Sequence, residues 1–338
     1  MPGAGDRSPA PAFGERLAAA VAARESQIVL GIDPDSSRLW PDAREATGVQ
    51  RERLAVALVG TADAAHAPSP APAAAEAAAA VLVHCRALID GAGPACVAVK
   101  PQLACFERLG SAGWLALEAT CAYARDAGLL VLADGKRGDV PVTALAYAQA
   151  LVGSTPSPFG AVPGLDVDAL TANPMLGRDA LTPLVEGARA AGAGVFILVR
   201  TSNPGAADVM DLPLAGGEPL WEHLARLAHE LGEGAPDELG GGAPDELADV
   251  GAVTGATAPE HLARMRELMP RTPFLLPGVG AQGGDVRALA PAFAPGRAGG
   301  LVTASRSIAN ASEQHGGSPA DAARAEAERL RAIAWELA

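Results

Sequence analysis

Residues 96–136 read CVAVKPQLACFERLGSAGWLALEATCAYARDAGLLVLADGK. Two short apolar runs, 96–100 and 129–134, flank a helical stretch at 111–127 rich in Ala and Leu. The runs are almost continuously apolar and do not alternate, as expected for parallel strands covered on both faces. The same unit recurs along the chain. Further strand candidates lie at 28–33, 167–172, 194–199, 248–253, 273–278 and 300–304. Helical stretches at 141–152, 176–191, 218–232, 258–269 and 319–337 lie between or after them. Eight strands separated by helices predict an α/β protein with a closed (β/α)8 TIM barrel in a single domain. The competing architecture is an open doubly wound sheet, but no GxGxxG follows the first strand.

A chain of 338 residues with 49% hydrophobic content has enough apolar material for one such barrel. We expect an N-terminal segment and helix over 1–27 and the barrel over 28–338, with low-complexity insertions near 61–80 and 206–249. The first insertion is Ala/Pro-rich and reads as a linker running into a helix. The second contains GAPDEL twice, at 234–239 and 242–247, and reads as a mobile surface loop. The net charge of −13 argues against nucleic acid or an anionic membrane as the main partner. No secretory signal or bilayer-length apolar run is present, so a cytoplasmic protein is expected. Cys85, Cys96, Cys105 and Cys121 show no ligand spacing and fit free thiols in a reducing compartment. The histidines are scattered. His223 and His229 share a helical stretch but not a face, so no metal site is expected.

Only two of the 26 basic side chains are lysines, Lys100 and Lys136, and both sit at the ends of strand candidates. Lys is a compact ammonium that can release a proton, whereas Arg is a broad fork that stays charged. Lys136 stands in Asp134-Gly-Lys136-Arg-Gly-Asp139, where the i, i+2 spacing sets Asp134 and Lys136 on one side of an extended segment. Gly138 would allow a sharp turn before Asp139. A Lys among carboxylates keeps its proton and acts as a cation and acid, not as a Schiff-base nucleophile. Taken alone, the pattern fits a salt-bridge cluster closing a barrel end equally well. Barrel chemistry collects at the carboxyl ends of strands, with phosphate held by the last two loops. There the chain has PGVGAQGGD (277–285), with Gln282 and Gly283, and ASRSIAN (304–310), with Arg306. Glycine admits backbone N–H groups close to a phosphate, and Arg forks onto its oxygens. RTSNPG (200–205) offers Ser202 and Asn203 after strand five, as polar readers or as a plain turn cluster.

GIDPD (31–35), AVKPQ (98–102), DGKRGDV (134–140), TANPMLG (171–177), TSNPG (201–205), PGVGAQGGD (277–285) and ASRSI (304–308) occur in this order. Together they resemble the orotidine 5′-phosphate decarboxylase family, in its longer bacterial form with the KRGD signature. The resemblance implies that Lys136 faces C6 of the pyrimidine and protonates it as carbon dioxide leaves, beside Asp134. It implies a homodimer with shared active sites, Asp139 and Thr143 reaching across from the partner. Lys100 would complete a Lys–Asp–Lys–Asp array and hold ribose hydroxyls with Asp33. Ser202 would read the pyrimidine edge, Gln282 would bridge base and phosphate, and Arg306 would clamp the phosphate. No cofactor or metal is implied. Met175 stands where an aromatic is expected, and Ala304-Ser305 where many relatives have Gly. Two other readings remain: a metal-dependent sugar-phosphate decarboxylase, which needs an extra acidic ligand, and a non-catalytic phosphometabolite-binding barrel.

Overall fold

Eight parallel strands pair edge to edge until the last closes on the first. In the computed structural model, which describes residues 11–45, 72–233 and 246–338, they are β1 (Ile28–Ile32), β2 (Ala98–Pro101), β3 (Leu130–Arg137), β6 (Ala169–Ala172), β7 (Gly194–Arg200), β8 (Val250–Thr254), β9 (Phe274–Pro277) and β10 (Gly300–Ala304). The order β1-β10-β9-β8-β7-β6-β3-β2 is a closed barrel, as the sequence pattern predicts. Two further strands, β4 (Ser154–Thr155) and β5 (Val162–Pro163), form a small antiparallel hairpin outside it. That hairpin carries no strand signal in the sequence, where TPSPFGAVPG reads as a loop.

Each barrel strand separates two apolar layers, which explains its continuous hydrophobicity. Val29, Leu132, Phe196, Val253, Leu275 and Leu301 fill the barrel interior. The alternate residues pack outward against helices. The helix Arg178–Ala190 buries Ala180, Leu181, Leu184, Val185 and Ala188, a single stripe at helical spacing. The helix Phe13–Arg24 plugs the amino-terminal mouth. Phe13 is fully buried edge-on against Phe196, with ring centroids 5.9 Å apart. A side chain at Gly194 would collide with that ring, its Cβ falling 2.3 Å from Phe13. Arg24 ties the plug down through the carbonyls of Cys96, Gly93 and Gly128.

Two boundaries differ from expectation. β3 runs on to Arg137, not to residue 134. The stretch 258–269 divides into a 3₁₀ turn, Pro259–His261, and a short helix, Leu262–Leu268. Of the expected linker, 61–71 lies outside the described residues, and a long helix, Pro72–Ala92, begins at residue 72. The first GAPDEL copy and most of the second, within 234–245, also lie outside them. Among the described residues no helix is long and apolar enough to cross a membrane. The four cysteines are free thiols.

Candidate active site

A cleft of about 370 Å³ opens at the carboxyl ends of the strands. At its centre stands Asp134 on β3. Its Oδ2 accepts from Lys100 Nζ at 2.5 Å and from Gln102 Nε2 at 3.3 Å. Its Oδ1 accepts from Lys136 Nζ at 2.6 Å and from the Thr171 hydroxyl at 3.0 Å. Four donors use all the strong acceptor positions of one carboxylate, so it is fixed in rotation and kept ionised. Burial pushes its pKa up, but the ammonium groups of Lys100 and Lys136 outweigh burial and hold it down at about 2. Lys100 is buried too, which disfavours its charge. Asp134 and Asp33 reverse that effect, and its pKa lies above the ordinary lysine value. Lys136 is different, with 42% of its side chain exposed to the cleft. One lysine is thus enclosed as a fixed charge, and the other meets the space where a ligand would sit.

Lys136 reaches that position by a different route from the expected extended spacing. Its φ is 47°, in the left-handed region that non-glycine residues rarely enter. β3 and β6 are in register at Ala133↔Leu170 and again at Arg137↔Ala172, so β3 gains two residues over its neighbour. This bulge turns the Lys136 ammonium back onto Asp134. The Lys136 N–H is bonded instead to the Thr171 hydroxyl, at 2.8 Å. Gly138 is needed for close approach and not for a turn. A Cβ there would lie 2.7 Å from the Asn173 carbonyl oxygen.

Ser202, Gln282 and Arg306 line the same cleft, as does Asp33 at the end of β1. Arg306 forms no ion pair among the described residues, although most arginines here do. An unpaired guanidinium facing a cleft is a ready partner for an anion. The turn over 278–284 is tight. Gly278 and Gly280 take positive φ, and Gly284 N–H bonds the Gly278 carbonyl at 3.0 Å. Gly283, expected at the phosphate, is not among the cleft-lining residues. Its φ of 90° makes it a requirement of the turn itself.

The family described as orotidine 5′-phosphate decarboxylase / HUMPS matches residues 27–318. A curated orotidine 5′-phosphate decarboxylase from Deinococcus radiodurans is 47% identical over 222 residues, covering 65% of this chain and 74% of that one. Another, from Rhodopirellula baltica, is 36% identical and covers 88% of this chain and 87% of its own length. The solved structure of Leishmania donovani OMP decarboxylase superposes with a TM-score of 0.64 at 29% identity, covering 96% of this chain and 99% of that one. The chain belongs to the orotidine 5′-phosphate decarboxylase family.

Within this family member, Asp33, Lys100, Asp134, Lys136, Ser202, Gln282 and Arg306 gather in one cleft. Asp139 and Thr143 do not. Asp139 accepts from the Val140 N–H at 2.7 Å, and Thr143 is exposed on the outer helix Pro141–Leu151. Neither lines the cleft of its own chain. Gln102 and Thr171, which are not among the residues expected from sequence, supply two of the four donors on Asp134. Thr171 had one legible signal, being a hydroxyl inside the otherwise apolar strand ALTA. Gln102 had none beyond following Lys100 by two residues. Among the described residues, no three His, Cys, Asp or Glu side chains are grouped to hold a metal ion.

Proposed function

We propose that the chain decarboxylates orotidine 5′-monophosphate to uridine 5′-monophosphate, the last step of de novo pyrimidine synthesis, as a cytoplasmic homodimer, with Lys136 as the acid. The observation that carries the assignment is the Lys136 ammonium, paired to Asp134 at 2.6 Å yet open to a cleft that also holds Arg306, which has no ion-pair partner among the described residues. Loss of carbon dioxide breaks the bond between C6 and the carboxylate and leaves the electron pair on C6. That vinylic carbanion has little resonance stabilisation. A fixed ammonium beside C6 stabilises the developing charge and then transfers its proton there. Asp134, ionised and unable to rotate, is the carboxylate beside the departing one. Lys100 and Asp33 hold ribose hydroxyls, Ser202 reads the base, and Gln282 with Arg306 holds the phosphate. Phosphate contacts remote from C6 supply binding energy that closes the site and excludes water. Asp139 and Thr143 of a second copy complete the array.

The test is loss of orotidylate absorbance with purified protein in EDTA. Turnover is expected without added metal, and Lys136→Ala should lower kcat/KM by at least about 10³-fold, since acid and electrostatic stabiliser leave together. Lys136→Arg keeps the charge but is too broad and too weak an acid, and should be nearly as inactive. Absence of turnover by the wild-type chain overturns the assignment.

A further inference from the structure

Thr171 lies on β6, almost wholly buried, directly behind the lysine. Its hydroxyl accepts from the Lys136 N–H at 2.8 Å and donates to Asp134 Oδ1 at 3.0 Å. A backbone N–H can only donate, and an ionised carboxylate can only accept, so the hydroxyl has one orientation. The same Oδ1 receives Lys136 Nζ. A closed ring results: Lys136 backbone, Thr171 hydroxyl, Asp134 carboxylate, Lys136 ammonium.

The ring matters because of the backbone at Lys136. A non-glycine residue at a φ of 47° is costly to hold and persists only where its surroundings over-determine it. The bulge takes the Lys136 N–H out of the strand ladder, and Thr171 replaces the lost carbonyl. We propose that Thr171 is a positioning residue, which fixes the left-handed turn at Lys136 and, through Asp134, the direction of its ammonium. The proposal rests on the reading of Lys136 as the acid.

Thr171→Val keeps shape and β-branching but removes both hydrogen bonds. Thr171→Ser keeps both and loses only a methyl group. With Val, kcat should fall about 30- to 100-fold while KM stays within about threefold, because the misplaced group acts only in the transition state. With Ser, kcat should stay within about fivefold of wild type. Amide hydrogen exchange at Lys136 gives a readout independent of turnover. It should be slow in wild type and Ser, and at least about tenfold faster in Val. Should wild type fail to decarboxylate orotidylate, the functional reading falls, and exchange still decides the positioning role. If Val does not fold, Thr171→Ala removes the same hydroxyl with less steric demand and is read in the same way. Unchanged kcat in the hydroxyl-free variant, a loss confined to KM, Ser no better than Val, or unchanged exchange each overturns the proposal.

Discussion

Asp134 is the residue on which the charges of the cleft depend. Its folded pKa of about 2 lies below the ordinary aspartate value of 3.8. An acid with a lowered folded pKa adds stability that is complete above its unfolded pKa and is lost as pH falls through the folded one. The contribution is therefore full above about pH 4 and disappears towards pH 2, on the order of 2 kcal/mol for a shift of this size. Asp134→Asn removes the charge but leaves Lys100 enclosed with only Asp33 nearby. Stripping one partner from a buried ion pair costs about 3–5 kcal/mol. Urea unfolding at neutral pH should show that loss. Between pH 4 and 2 the wild type should weaken more steeply than the variant, because only the wild type has the carboxylate to protonate. Equal slopes in that window would mean that Asp134 is not held ionised by its lysines.

At the scale of elements, the strand–helix repeat rests on single side chains that look ordinary in sequence. Arg266, in the short helix Leu262–Leu268, reads as a surface arginine, yet it is buried with no counter-ion among the described residues. Its guanidinium donates to the carbonyls of Met269, Thr272, Ala292 and Gly299 at 2.7–3.0 Å and stacks over Phe274, 3.7 Å from the ring centroid. Burial lowers its pKa to about 9. The carbonyls of Thr272 and Gly299 lie just before β9 and β10, at the end of the barrel away from the cleft. Arg266→Met should cost at least about 3 kcal/mol, since several buried carbonyls lose their donor together. Arg266→Lys should recover only part of it, lacking the planar fork. Thermal unfolding measures both, and kcat of the folded fraction should not change. The eight strands were legible because continuous apolar runs are what burial on both faces demands. Asp134, Lys136 and Arg306 were legible because ionisable groups at strand ends stand out from such runs. The bulge at Lys136, the role of Thr171 and the carbonyl cluster around Arg266 were not. The first two are set by the register of β3 against β6, and the third by carbonyls that the fold brings back to Arg266 from Ala292 and Gly299, which no local pattern records.

For the whole molecule, one chain builds a cleft that lacks two of its expected groups and carries an uncovered apolar face beside them. Val142, on the helix that follows Asp139, is 84% exposed, and Leu145 one turn later is also exposed. The hairpin after that helix presents Phe159 at 99% exposure, with Val162 beside it. A two-fold axis on this face would cover the apolar strip and carry Asp139 and Thr143 of each copy towards the cleft of the other. Val142→Glu with Leu145→Glu should give folded monomers in sedimentation and abolish turnover, although neither residue lines the cleft. The proposed sharing of sites permits a sharper test. Lys136→Ala and Asp139→Ala homodimers should each be nearly inactive, since every site lacks one group. In a hybrid dimer, the Asp139→Ala chain keeps its own Lys136 and receives an intact Asp139 from its partner. Its other site carries both defects. Random exchange makes half the dimers hybrid with one working site each, so a mixture should recover about a quarter of wild-type activity. Recovery must appear at the rate of subunit exchange and vanish on dilution to monomers. If the mixture stays inactive after exchange is complete, Asp139 acts within its own chain. The cleft would then have to complete itself by a movement of the segment 137–143, and the apolar face would need another explanation.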